Sequence, residues 1–164
     1  MSARLALAAA LSVVVLGCPG DRTTVGMTSN DAAALGGELP LDPFQWRVIG
    51  SIVDPNASTM STLFGNEVAV QAARSGRIGR YPPGAVLSLV TWKQQGDVHW
   101  FGARIPARPE SIEVVAVNDA ARAGSPFEYH AYRGEPLRKA PAPDVAAVAA
   151  RVERILGQPP AVMP

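Results

Sequence analysis

Two histidines, His99 and His130, are the side chains in this sequence best suited to acid–base or ligand chemistry near neutral pH. His99 lies between Val98 and Trp100, and His130 lies between Tyr129 and Ala131. A free imidazole can ligate a metal ion, and Met60 and the tyrosines are further candidates for such a role. A zinc site would need three or four converging His, Cys or acidic groups, and two well-separated histidines with scattered carboxylates do not announce one. Ser58, Ser61 and Ser88 lack the Gly-x-Ser-x-Gly context of a hydrolase nucleophile. Glu110 and Glu113 stand at the start of a β-prone run and read as solvated surface. A lone histidine in an aromatic strand is more often a structural hydrogen-bonding group than a ligand, so His130 and His99 are candidate metal ligands only.

Cys18 is the chain's one cysteine. It follows a single-charge start, Met1 to Arg4, and a charge-free apolar run of twelve residues, "LALAAALSVVVL". That length fits the apolar region of a signal peptide and is too short for a membrane-spanning helix. "VLGC" resembles a bacterial lipobox, with Leu16 at a position where a small residue is preferred. The resemblance implies acylation of Cys18 and cleavage before it. The expected location is therefore the periplasmic side of a bacterial membrane, the outer membrane favoured over the inner, with the membrane itself as partner through the N-terminal lipid.

Removing residues 1–17 leaves 147 residues with 14 basic and 14 acidic side chains. That is enough chain for one domain with a proper core. A neutral balance gives no argument for nucleic acid binding. With only Cys18 present, no disulfide within the chain can support the fold.

The elements that must position any site follow from hydrophobic period. Pro19 to Leu39 is polar and aperiodic, so residues 18–39 read as a flexible tether, with the domain at 40–157 and a tail at 158–164. "WRVIGSIVD" and "STMSTLFG" read as a hairpin around Asp54-Pro55-Asn56. "NEVAVQAARSG" changes to helical period, with Asn66 as N-cap and Gly76 beyond the end. "AVLSLVTWKQ", "VHWFGARIP", "SIEVVAVND" and "FEYHAYRG" read as four more strands. "PDVAAVAARVERILG" reads as a helix whose stripe is Val145, Val148, Ala149, Val152, Ile155 and Leu156. Strands joined by short turns predict an α+β fold built on an antiparallel meander or small barrel.

Taken in order, "WRVIGSIVD", "MSTLFGNEVAVQAARSG", "YPPGAVLSLVTWK" and "WFGARIP" resemble the cytochrome P460 and cytochrome c′-β family, over about residues 44–134. "FEYHAYRG" is similar to that family's later aromatic strand. The resemblance implies an exported, largely antiparallel β protein. It also implies a c-type heme on a Cys-x-x-Cys-His motif near the C-terminus, serving hydroxylamine oxidation or the binding of nitric oxide and related small ligands. This chain departs there. After "FEYHAYRG" it carries neither cysteine nor histidine. Two thioether bonds need two thiols, so no covalent heme is expected. The family's crosslinking lysine falls on Leu89, with Lys93 nearby.

The expectation is a lipid-anchored P460-like domain that acts as a non-catalytic binding or accessory module of the cell envelope. No cofactor is expected, and non-covalent heme for small-ligand or redox work, with His130 or His99 as its candidate axial ligand, is the alternative. Trp92, Trp100, Phe101, Tyr129 and Tyr132 are expected to line the inner face of the sheet, as core or as pocket wall. The C-terminal helix is expected to pack on the sheet and to fill part of the volume a heme would take.

Overall fold

The computed structural model describes residues 30–76, 78–119 and 124–161. The signal segment 1–17, Cys18 and most of the expected tether lie outside the described residues. Six antiparallel strands form one sheet in the order of the chain: β1 (Arg47–Asp54), β2 (Thr59–Gly65), β3 (Val86–Gly96), β4 (Arg104–Val117), β5 (Phe127–Arg133) and β6 (Arg138–Lys139). Helix α1 (Glu67–Arg74) connects β2 to β3, and α2 (Val145–Leu156) follows β6. The fold is α+β as expected. The sheet is an open meander, so the barrel alternative falls away.

The β1–β2 turn forms because the Asp54 carboxylate accepts from the amides of Asn56 and Ala57, at 2.9 and 3.0 Å. The next junction is tied by Asn66. Its Oδ1 accepts from the Ala69 amide, capping α1, and from the Val86 amide that opens β3, while its Nδ2 donates to the Gly84 carbonyl. One side chain thus fastens the helix start, the Tyr-Pro-Pro-Gly turn and the third strand together. Gly65, just before it, admits no side chain: a Cβ there would lie 2.4 Å from Ile49 Cδ1 and 2.9 Å from Ala69 Cβ.

β3 is nearly continuous in apolar residues because both its faces are covered. Leu87 and Leu89 point to the helices, together with Ile49, Leu63, Val115 and Val117 from the other strands. Val90 and Trp92 point to the opposite face, with Phe64, Ile112, Val114 and Tyr132. What covers that opposite face is the chain from Asn30 to Trp46. Leu35, Leu39, Leu41 and Trp46 pack on it. The Ala33 carbonyl accepts from Trp92 Nε1 at 2.9 Å, and Phe44 stacks on Trp92 with ring centroids 6.4 Å apart. Gly37 forms a parallel bridge with Leu137, so close that a Cβ on Gly37 would sit 2.2 Å from the Leu137 carbonyl oxygen. Residues 30–39, read from sequence as the end of a tether, are therefore a lid on the second face. Leu35, Leu39 and Leu41 serve as packing contacts in a stretch whose glycines and polar residues masked them.

Two strand assignments change. "VHWFGARIP" and "SIEVVAVND" belong to one β-hairpin arm: residues 98–103 form its turn, and β4 runs unbroken from Arg104 to Val117. The sixth strand is instead the two-residue β6.

Candidate functional site

β4, β5 and α2 bring three chemically capable side chains together under the second helix. Glu113 is buried, and its Oε1 accepts from Arg151 Nη1 at 2.8 Å and from the Tyr129 hydroxyl. Glu113 shares its strand face with Val115 and Val117, and Tyr129 shares its face with Phe127. Arg151 reaches in from α2 one residue before buried Val152. Burial pushes the Tyr129 phenol well above the ordinary tyrosine range. The hydrogen bond to Glu113 and its negative charge add to this, and Arg151 and Arg133 pull weakly the other way. A guanidinium and a phenol on one carboxylate satisfy a charge that burial alone would make costly. The surface reading of Glu113 is thus overturned. Glu110 does lie outside, 3.2 Å from Lys93.

Beside this trio, α2 leaves a groove of about 610 Å³. The stripe is packed unevenly: Val152, Ile155 and Leu156 are buried and Val148 is partly buried against the core, whereas Val145 is 87% exposed. Val145, Val148, Phe127, Ile78 and Leu156 form the apolar wall, and Glu153 and Ser125 are the polar side chains along it. The size and lining suit a small, largely apolar ligand.

The residues expected to line one pocket are dispersed. Trp92 and Tyr132 are buried beneath the 30–46 lid, and Tyr129 is on the helix side. Trp100 and Phe101 lie on the hairpin turn in full exposure and line nothing. The two histidines do not meet. His99 is on that same turn, its ring 3.4 Å from Asp97. His130 opposes Val114 on the lid-side face of β5 and bonds Glu128 at 2.7 Å. Leu89 is buried among apolar side chains under the helices. Among the described residues no cluster of three or more metal-ligating side chains occurs.

The cytochrome P460 family model matches residues 42–149, more than half of the chain. The chain belongs to the cytochrome P460 family. No curated protein matches it. Membership relates the protein to heme proteins, and the groove can be tested against that cofactor. No histidine, cysteine or methionine is among the residues that line it. The one imidazole held in the sheet, His130, stands on the opposite face. The donor set at this groove does not fit an axially ligated heme.

Sequence reasoning missed the trio, although a signal was present. Glu113 has the same parity as Val115 and Val117, so an inward-facing strand carries a charge in phase with its core positions.

Proposed function

We propose that the protein is an exported, lipid-anchored member of the cytochrome P460 family that carries no covalent heme and works as a binding or accessory module of the cell envelope rather than as a catalyst. The observation that carries this reading is the groove beside α2: apolar, of ligand size, and lined by no axial iron ligand. The single cysteine supports it from the sequence, since Cys18 stands in a lipobox-like context and cannot supply two thioethers. The Glu113–Arg151–Tyr129 cluster supports it as well. Its groups are engaged with one another and hold α2 to the sheet, a structural role.

Mass and absorbance of the full chain, purified from its own host, test the reading together. The expected result is a diacylglyceryl-modified Cys18 and no Soret band. Heme titration should then give no shift that depends on histidine. A Soret band that disappears in a His99→Ala/His130→Ala variant would establish non-covalent heme and overturn the proposal.

A further inference from the structure

The hairpin between β3 and β4 outruns its neighbours. β2 pairs with β3 only as far as Lys93, and β5 pairs with β4 only from Ser111 onward. Beyond those points the strands continue as a two-stranded arm, through Gln94↔Pro106 to Gly96↔Arg104. Its turn carries Val98, Trp100 and Phe101, which are 89%, 72% and fully exposed. Three large apolar side chains in one turn do not help the fold and would cost solubility if left in water. The turn's acidic residue, Asp97, is drawn inward: its Oδ1 accepts from the His99 amide at 2.7 Å, and its side chain is mostly covered. The exposed cation Arg104 sits at the base of the turn.

A second observation gives this arm a direction. Asn30, where the described chain begins, donates from Nδ2 to the Pro106 carbonyl at 2.7 Å. Pro106 is two residues from the last rung of the arm, about 7 Å along the strand. The described chain therefore begins beside the arm, and not at the α2 groove. Cys18 is twelve residues upstream of Asn30, a reach of at most about 40 Å.

We propose that the Val98–Phe101 tip inserts into the headgroup region of the membrane to which the N-terminus is anchored, with Arg104 facing anionic lipid. The proposal builds on the lipid-anchor reading above. A tryptophan and a phenylalanine on a narrow convex turn suit a deformable interface, where amphipathic aromatic rings partition, and a basic flank adds attraction to anionic headgroups. The lipid and the tip then act as two attachments on one end of the domain, which orients the sheet instead of leaving it to tumble on a leash.

The test uses the full chain on vesicles of phosphatidylethanolamine and phosphatidylglycerol and reads the emission contributed by Trp100, as the difference between the native chain and Trp100→Phe. On vesicles the Trp100 component should shift to the blue, lose its quenching by aqueous iodide and gain quenching by lipids brominated near the headgroup. Phe101→Asp should restore iodide access. Mass analysis of Cys18 is read in parallel. Lipid on Cys18 with Trp100 still open to iodide in the floated chain overturns the tip and leaves the anchor standing. A protected Trp100 without lipid on Cys18 upholds the tip and overturns the anchor. Protection of Trp100 without vesicles, by a second copy or by another envelope protein, overturns membrane insertion in favour of a protein contact.

Discussion

The two faces of the sheet are closed by different physics. The lid side is sealed by residues 30–46, a stretch with little regular structure, through leucines, the Phe44–Trp92 stack and one indole hydrogen bond. The helix side is sealed by two capped amphipathic helices, yet it contains a buried carboxylate and an open groove. The helix side buries the larger set of apolar residues, and the lid side is closed by side chains that stay half-buried. The helix side keeps the features that a ligand or a moving element could use.

The strongest way to break the comparison is to open the lid. Trp92→Ala removes the buried ring on which Phe44 stacks and the donor that holds Ala33. It should cost about 3–5 kcal/mol, measured as a shift of the urea midpoint at unchanged slope. Trp92→Phe keeps most of the ring contact and loses the indole bond, so its cost should be nearer about 1 kcal/mol. If both variants cost the same, the hydrogen bond and not the packing closes this face.

On the helix side the matching test is Arg151→Ala. It strands the Glu113 carboxylate in the interior and should cost about 2–3 kcal/mol, below the fully buried range because Arg151 is about a third exposed. The double variant Glu113→Leu/Arg151→Leu should recover most of that loss, since burying two leucines avoids the desolvation of an ion pair. A double variant no more stable than Arg151→Ala would show that the ion pair itself, and not the avoidance of a stranded charge, holds α2.

Tyr129 provides a smaller effect with a defined pH dependence. Its phenol is less acidic in the folded chain than in the unfolded one. Between the ordinary tyrosine value of about 10 and the higher folded value, the native state therefore holds a proton that the unfolded state has lost. Stability is full below about pH 10 and falls as the pH rises past it. Burial raises Tyr81 and Tyr132 as well, so they add to the same slope. Tyr129→Phe should flatten part of that alkaline fall, by at most about 1.4 kcal/mol per pH unit, in urea titrations on either side of pH 10. An unchanged slope would place Tyr129 outside the linkage.

Much of this fold was legible because its local signals agree with one another. Asn66 reads as an N-cap and is one, and the β-prone run "AVLSLVTWKQ" reads as a strand and is one. The lid was not legible. Leu35, Leu39 and Leu41 have neither a helical nor a strand period, and their role depends on Trp92, far along the chain. The aromatic tip misled for the opposite reason. Trp100 and Phe101 look like core by composition, but the turn that exposes them is fixed by the pairing of Gly96 with Arg104. The trio was half legible: Glu113's parity pointed inward, but its partners come from two other elements.

The least disruptive test of the two faces is Ser88→Ala. Ser88 is fully buried on the lid side of β3, opposite Phe64 and Val114, and its hydroxyl has no hydrogen-bond partner among the described residues. A buried hydroxyl without a partner is a liability, and alanine removes it while leaving a gap smaller than a methyl group. If the lid face is dry, Ser88→Ala should be neutral or stabilising by up to about 1 kcal/mol in urea denaturation. A loss of more than about 1 kcal/mol would mean that the hydroxyl has a partner, such as a trapped water. The lid face would then be wet, and the contrast between the two faces would narrow to the ion pair alone.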